Sequence, residues 1–331
     1  MTAIYSIKAN GKDITGQVQQ RLTSLEISDE TGFRSDRVRI CLDDRDAVFA
    51  LPKTGARLDI RMGFREQDKT VVVHQGVFFV DEISCTGPPA CLVIEGKASD
   101  MGAGLKEKKS RAWENVTLAD IVATIARAHG LTPVVGEDLG QIRFAHLDQT
   151  DESDLHLLTR LGLEHDAVAK PVSSKLVLVK KGQARTASGK QLPMVVLDKK
   201  DFVAGGWDMY TRDREKYGSV RAFFQDIPGG EKQSVTVGKD GPVYVIRSPF
   251  ADRERAVRAA ESRLASLIRG ISTLRGTVSA RNDLFAEGLI RVTGIRSGVN
   301  GVWHLTRVVT RIDGTCLTVS FEATAPDLSN G

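Results

Sequence analysis

The stretch GVFFVDEISCTGPPACLVIEGKA, residues 76–98, decides the fold, because the chain contains a second version of it. Apolar and polar residues alternate on both sides of the segment 86–90, whose prolines are excluded from central strands. The stretch therefore predicts a β-hairpin. The second version is GVWHLTRVVTRIDGTCLTVSFEA, residues 301–323, which aligns with the first without a gap at an offset of 225 positions.

The two versions share identities and an apolar pattern. The identical pairs are Gly76/Gly301, Val77/Val302, Cys91/Cys316, Leu92/Leu317 and Ala98/Ala323, and the bulky apolar pairs are Phe78/Trp303, Val80/Leu305 and Ile83/Val308. Upstream of each hairpin, LDIRMGFR at 58–65 matches LIRVTGIR at 289–296 in the same order. We therefore expect two copies of one β domain, with Phe78 and Trp303 at corresponding positions.

The first hundred residues alternate with a period of two, as half-buried strands do. Asn10-Gly11 and Asp313-Gly314 are strong signals for tight hairpin turns. Short strands joined by polar turns favour an antiparallel barrel, since closure removes exposed sheet edges. We predict a mainly β protein in which two similar antiparallel β-barrel domains flank a small α+β domain.

The hydrophobic period becomes helical in the middle of the chain. Thr117 begins a capping-box variant, apolar residues follow at helical spacing, and Gly130 ends the helix. A second helix is predicted from Thr150 or Ser153, with acidic residues at its positive end. Strand-like runs follow at 175–180 and 194–197, separated by a polar turn region at 181–190. The predicted domains are 1–104, the α+β domain 105–203, the second barrel 204–326 and a flexible tail 327–331.

One further helix, residues 252–269, is predicted inside the second barrel. Asp252 is the expected N-cap and Gly270 the expected end. Its arginines are Arg253, Arg255, Arg258, Arg263 and Arg269. They form either a solvated face or, if the helix lies at a subunit boundary, an assembly interface in which arginines bind carboxylates in bidentate fashion.

Composition indicates an ordinary soluble protein. The 331 residues are 41% hydrophobic and 27% charged, and the net charge of +4 is too small to imply a polyanion partner. We expect no secretory signal and no stable membrane insertion, because no apolar run approaches the roughly 18 residues that span a bilayer. The cysteines Cys41, Cys85, Cys91 and Cys316 form no CxxC pair, which argues against zinc and fits reduced thiols in strands.

Motifs for catalysis or cofactor binding are missing from the sequence. It contains no P-loop, GxSxG, HExxH or GxGxxG pattern. Glu164-His165-Asp166 is the one suggestive cluster, but adjacent residues point in different directions, so we interpret it as polar residues that close the second helix. We expect no catalytic residue, no metal site and no cofactor.

Two charged stretches have structural interpretations. Asp81 and Glu82 are neighbours on a strand, which separates their side chains, and they are expected to be rim charges or ion-pair partners. The basic run at 106–111 contains no aromatic residue for stacking on bases and is interpreted as a solvated interdomain linker.

The order of these motifs resembles the phage late control gene D proteins. The resemblance rests on GVFFVDEI at 76–83, the Gly-Pro-Pro hairpin, the helix at 117–131, the segment QTDESD at 149–154 before a leucine-rich helix, and GVW at 301–303. QTDESD is its most specific part. These proteins are baseplate hubs of contractile tails, similar to the N-terminal hub part of type VI secretion spike proteins, and their barrels are tail-tube-like.

The resemblance implies a structural hub of a contractile phage tail or of a pyocin-like particle, located in the tail baseplate and assembled in the host cytoplasm. It also implies a homotrimer whose six similar barrels match the six-fold tail tube on one side and a three-fold central spike on the other. Tape-measure and baseplate wedge proteins are further candidate partners. The alternatives are a tail-associated peptidoglycan hydrolase and a DNA-binding late regulator; the small net charge and the missing motifs argue against specific nucleic-acid binding and against an enzyme.

Overall fold

The computed structural model describes the chain except for residues 32–35, 48, 68, 99–102, 173–174, 182–192, 212–216, 227–230, 270 and 326–331. Gly270, most of the turn region 181–190 and the tail 327–331 therefore lie outside the described residues.

The N-terminal part of the chain is a β unit followed by an α+β unit. The first β unit contains β1 (Thr2–Ala9), β2 (Lys12–Asp13), α1 (Thr15–Gln19), β3 (Leu22–Glu30), β4 (Arg37–Asp43), β5 (Arg57–Glu66), β6 (Lys69–Thr86) and β7 (Cys91–Lys97). The middle unit contains α2 (Ala103–Lys106), β8 (Lys108–Thr117), α3 (Leu118–Ala128), β9 (Thr132–Val135), α4 (Glu137–Gly140), β10 (Arg143–Ser153), α5 (Asp154–Glu164), β11 (Ala167–Val172) and β12 (Lys175–Lys180).

The C-terminal part is a second β unit that carries an insertion. The second β unit contains β13 (Val195–Asp198), a 3-10 helix (Lys199–Asp201), β14 (Phe202–Thr211), β18 (Ser272–Ser279), β19 (Leu289–Thr293), β20 (Gly301–Asp313) and β21 (Cys316–Thr324). The inserted unit contains β15 (Ser219–Asp226), β16 (Glu231–Gly238), β17 (Val243–Val245) and α6 (Arg253–Arg269).

Both β units belong to one 13-stranded sheet. Its order is β14-β18-β21-β20-β3-β4-β7-β6-β5-β1-β2, with β19 on β20 and β13 on β19. The strand β20 joins the two units: residues 301–304 pair with β19, and Arg307–Asp313 pair with β3. The chain is therefore mainly β and built on a large, predominantly antiparallel sheet, as the alternating pattern predicts.

The first arms of the two hairpins have the same local geometry. Gly76 and Gly301 both have positive φ, 131° and 146°, where a residue with a side chain is strained. Phe78 and Trp303 are both buried in the core of their unit. A β-bulge follows in each arm, after Val80 and after Leu305. Phe78 and Trp303 thus occupy matching positions in the two ladders.

The hydrogen bonds at the bulges repeat as well. The Val80 carbonyl accepts from Gly55 N at 2.7 Å, and the Leu305 carbonyl accepts from Glu287 N at 2.9 Å. The two β units therefore share a backbone pattern that begins two residues before the upstream strand, at Gly55 before β5 and at Glu287 before β19.

The structure corrects two details of the sequence alignment. Leu58 lies opposite Phe78, whereas Ile290, not Leu289, lies opposite Trp303. In the second arms, Gly96 lies opposite Val80 and Ala323 lies opposite Leu305, so these arms correspond at an offset of 227 rather than 225. The cause is the connection, because the first hairpin turns over four residues and the second over two.

The middle unit follows the helical patterns of the sequence. The capping box of α3 is present, with Thr117 accepting from Asp120 N and the Asp120 side chain accepting from Thr117 N, and Gly130 has the expected positive φ of 66°. The helix α5 begins at Asp154, one residue after its N-cap Ser153. The segment 149–153 is thus the end of β10 rather than the first turn of a helix.

A buried carboxylate holds β8, β10 and α5 together. The Asp154 side chain is fully buried, and it accepts hydrogen bonds from Lys109 at 2.7 Å, Arg111 at 2.6 Å and Gln149 at 3.0 Å, with a His129 ring nitrogen at 3.0 Å. These hydrogen bonds and the positive charge of Arg111 hold the pKa of Asp154 at about 2, although burial opposes this shift. The QTDESD segment is therefore a structural clamp.

This clamp overturns the interpretation of residues 106–111 as a solvated linker. Lys108 to Thr117 form β8, which pairs with β10, and Lys109 and Arg111 bind Asp154. The Arg111 guanidinium also lies over the ring of Trp113, 4.1 Å from its centroid. Charge density alone did not distinguish an ion-paired strand from a solvated one.

Two other placements differ from the predicted domains. The strand β13, expected in the α+β domain, pairs in parallel with β19, and Val195 and Leu197 lie in the core of the second β unit. The helix α6, expected on the second barrel, packs on the separate three-stranded sheet β16-β15-β17 and shares a core of its own with Ala222 and Val235. Asp252 is the N-cap-like residue as predicted, since its carboxylate accepts from Arg255 N at 2.8 Å.

We expect Asp154→Asn to lower the free energy of unfolding by about 2 kcal/mol at pH 7, because the charged acceptor of a buried network is lost. The folded pKa, about 2, lies below the ordinary value of 3.8, so the stabilisation is present above pH 4 and disappears as pH falls toward 2. Urea unfolding followed by tryptophan fluorescence at several pH values measures both effects.

The matched control is Asp138→Asn, at an exposed carboxylate of the same unit, with an expected change within about 0.5 kcal/mol. A destabilisation by Asp154→Asn that is independent of pH between 4 and 2 contradicts the assignment.

Candidate functional site: assembly surfaces

The three residues of the polar triplet Glu164-His165-Asp166 each contact a different residue. Glu164 accepts from Arg255 at 2.9 Å, and Asp166 forms an ion pair with Arg269. His165 is buried with its ring 6.2 Å from that of Phe144; burial, with a further contribution from nearby arginine charges, lowers its pKa to about 4, so its imidazole is neutral at pH 7. The triplet attaches α5 to α6 and does not converge on one point.

The described residues give no support for a metal site, a disulfide or a membrane-spanning helix. Among them, no group of three or more His, Cys, Asp or Glu side chains could hold a metal ion. The four cysteines are free thiols in strands. In the described part of the chain, no helix is long and apolar enough to cross a membrane.

The arginines of α6 have different environments. Arg255 and Arg269 bind carboxylates of the middle unit, and Ser262 adds a hydrogen bond to the Leu163 carbonyl at 2.6 Å. Arg258 forms an ion pair with Glu254 of its own helix at 3.3 Å, whereas Arg253 is exposed at the start of the helix. The expected arginine–carboxylate contacts therefore exist, but they join two units of one chain; a role at a subunit boundary stays a prediction.

A second junction, around Asp29, joins three units. The Asp29 carboxylate in β3 lies 3.2 Å from Lys170 Nζ of β11 and accepts from Ala286 N, before β19, at 2.8 Å. Lys170 also lies 2.5 Å from Asp36 and donates to the Glu30 carbonyl at 2.9 Å. Burial and the adjacent Asp29 charge raise the pKa of Asp36 to about 7, against the opposing charge of Lys170. Sequence reasoning missed this site, because its residues belong to no motif and lie far apart in the chain.

The solvent-facing side of the large sheet carries a repeated row of charges. In the first β unit the row is Glu26, Arg39 and Glu95, and in the second it is Asp208, Arg275 and Glu322. Arg39 lies 3.1 Å from Glu95, and Arg275 lies 3.6 Å from Glu322. Opposite charges therefore alternate across neighbouring strands, with two carboxylates and one arginine in each row.

Further ion pairs cross the junction of the two β units. Arg311 of β20 lies 3.6 Å from Glu26 of β3, and Arg307 lies 3.5 Å from Glu30. Each row thus gains one arginine of β20: Arg311 extends the row of Glu26, and Arg307 extends the row of Glu322.

The remaining predicted site residues lie on or under this sheet. Asp81, at the bulge of β6, forms an ion pair with Lys97, while Glu82 is exposed opposite Glu95. Phe78 and Trp303 are core residues, and the indole of Trp303 donates to the Val299 carbonyl at 2.8 Å. Of the seven candidates, Asp81, Glu82 and Arg253 are exposed to solvent, and Phe78 and Trp303 are buried.

We expect Arg255→Ala to destabilise the contact of α6 with α5 by about 2 kcal/mol, since the largely buried Glu164 then keeps only Arg160 of its own helix, 3.8 Å away. Arg253→Ala, two positions earlier and exposed, is the control and should change stability by less than about 0.5 kcal/mol. Urea unfolding of both variants measures the difference; equal effects contradict the assignment of Arg255.

Comparison with known proteins identifies a family from the sequence and a shared fold from the structure. A model of the phage tail baseplate hub (GPD) family matches residues 37–315. The probable baseplate hub protein of Escherichia phage 186 is 28% identical over 361 aligned residues, which cover 96% of this chain and 92% of the relative.

The 43 kDa tail protein of prophage MuSo2 from Shewanella oneidensis superimposes with a TM-score of 0.72 over 98% of both chains at 17% identity. The E. coli c3393 protein, a component of the type VI secretion system, gives a TM-score of 0.58 over 97% of this chain and 77% of its own at 12% identity.

At these low identities the structural likenesses show a shared fold, whereas the family match covers most of the sequence. It includes the middle unit, the insertion and parts of both β units, and it confirms the resemblance to baseplate hubs. The chain therefore belongs to the phage tail baseplate hub (GPD) family.

Proposed function

We propose that this baseplate hub protein forms a trimeric ring that adapts the six-fold tail tube to a three-fold central spike. The observation that carries the proposal is the repeated ladder, with its positive-φ glycine, buried aromatic residue and bulge at Gly76–Val80 and again at Gly301–Leu305. In the proposed assembly, each β unit is one tail-tube-like barrel.

Symmetry explains why a duplicated chain suits this position. Three copies of a chain with two similar units present six similar surfaces around one axis, while the ring keeps its true three-fold symmetry. The six surfaces match a six-fold tube and the three-fold axis matches a trimeric spike. The middle units, attached to the first β unit through the ion pair of Lys170 with Asp29, then lie on the outside of the ring.

The proposed partners are a second and third copy of this chain, the tail tube protein and a separate spike protein, with tape-measure and baseplate wedge proteins as further candidates. The particle is a contractile phage tail or a pyocin-like derivative, and the hub is assembled in the host cytoplasm. Support comes from the similarity to the probable baseplate hub protein of phage 186 and from the fold shared with a type VI secretion component.

The proposed role is structural and without catalysis, which the family match supports. The best enzymatic candidates, Glu164 and Asp81, are both engaged in ion pairs, with Arg255 and Lys97. The charge rows of the sheet, with two carboxylates to each arginine, also give no reason to propose specific nucleic-acid binding. We therefore retain neither the peptidoglycan hydrolase nor the DNA-binding regulator.

We expect light scattering of the purified full chain to give a mass three times its 36.0 kDa. If the chain alone does not associate at the concentration used, the measurement is repeated with the spike protein added. Electron microscopy of particles labelled with antibody to this chain should place the label at the tail baseplate. A chain that stays monomeric at every concentration, with and without the spike protein, contradicts the ring.

A further inference from the structure

One strand edge is covered in the second β unit and open in the first. In β20, the segment Arg307–Asp313 pairs with β21 on one side and with β3 on the other. The corresponding segment of β6, Glu82–Thr86, pairs with β7 on one side. On its other side, the described part of the chain places no strand, because β5 pairs with β6 only as far as Phe79.

Side chains are more exposed in the segment of β6 than in the segment of β20, as a missing neighbouring strand predicts. Val308 and Thr310 in β20 are buried, at 2% and 8% exposure. Their counterparts Ile83 and Cys85 are half-buried and exposed, respectively. The exposure differs because β3 pairs with the segment of β20, whereas no described strand pairs with this side of the segment of β6.

The strand β14 is the counterpart of β3. The strand β3 lies beside β4, which lies beside β7; in the second unit, β14 lies beside β18, which lies beside β21. The charge row gives the register, because Glu26 faces Arg39 in the first unit and Asp208 faces Arg275 in the second. Whereas β3 lies in the middle of the sheet, β14 is a terminal strand.

We propose that β14 of one copy pairs antiparallel with Glu82–Thr86 of β6 in the next copy, and so repeats between chains the β3–β20 pairing that exists within each chain. The inference rests on the proposed ring and names the contact that builds it. Since Ile27 faces Thr310 and Asp29 faces Val308 within the chain, Met209 should face Cys85 and Thr211 should face Ile83 across the interface.

This contact has the properties of a closing assembly interface. Each chain offers one edge that donates a strand and one that receives it, so the association is head-to-tail and closes if successive rotations sum to a full turn. In a ring of three copies, six β units are joined by six equivalent strand pairings, three within chains and three between chains. Closure also removes two open sheet edges, which in an isolated chain are templates for aggregation.

The occupant we favour is a second copy rather than another baseplate protein. The same backbone pattern already receives β3 in the second unit, so the complementary strand is present in every chain. A strand of a different protein on β6 is an alternative outcome of the test.

A cysteine pair tests the register. Directly opposed residues of an antiparallel pair have Cα atoms about 4.5–5.5 Å apart, within the range of a disulfide. Met209→Cys, in a Cys316→Ser background, places a new thiol opposite the native Cys85. Mild oxidation of the full-length protein should give covalent dimers and then trimers on a non-reducing gel, with a 85–209 disulfide peptide in mass spectrometry.

Two controls are matched to this variant. Met209→Cys with Cys85→Ala keeps the new thiol and removes its partner, and Val245→Cys places a thiol on an exposed strand of the inserted unit; neither should crosslink. If Met209→Cys does not fold, the pair Thr211→Cys with Ile83→Cys, in a background that also carries Cys85→Ala, tests the same register two positions away.

The outcomes separate this inference from the proposed function. A trimer by light scattering in which neither cysteine pair crosslinks above its control overturns the β14–β6 contact and leaves the ring. A chain that is monomeric at all concentrations overturns both. A correct crosslink whose ladder continues beyond three chains supports the pairing and overturns closure at three.

Discussion

The antiparallel pairing of β3 with β20 is the interaction on which the rest of the structure depends. It joins strands that are about 280 residues apart in the chain, and it turns two β units into one continuous sheet. Ile312 and Leu317 of the second unit consequently lie in the core of the first. Such long-range pairing carries a large loop-closure cost, which a ladder of seven residues and a shared apolar core offset.

The middle unit is joined to this sheet by one charged cluster and to the inserted unit by two further ion pairs. Asp29 binds Lys170 and the backbone before β19, while Glu164 and Asp166 bind arginines of α6. Removing one partner of such a buried pair is costly, because the remaining charge cannot return to water. The charged contacts therefore position the middle unit against the sheet and the inserted unit against the middle unit, although the middle and inserted units each have an apolar core of their own.

Much of this fold was accessible from local patterns. Periods of two and 3.6, the capping box at Thr117 and the turn glycines act through neighbours in the chain, and the structure contains them where the sequence predicts. The two errors of the sequence alignment, at Leu289 and in the second hairpin arm, have a different origin. Identical residues such as Cys91 and Cys316 favoured a gapless alignment, but hairpin register depends on turn length, which is four residues in one hairpin and two in the other.

The sequence by itself determined the β class, the repeated hairpin, the three longest helices and the family, since each is written in residues close together or repeated in order. Only the tertiary structure decided that β3 covers β20, that β13 belongs to the second unit, and that Lys109 and Arg111 are bound to a buried carboxylate. It also brought Asp29 and Lys170 together. The physical reason is that strand partners and buried ion pairs join residues far apart in the chain, and neither a hydrophobic period nor a charge count specifies which distant partner a residue meets.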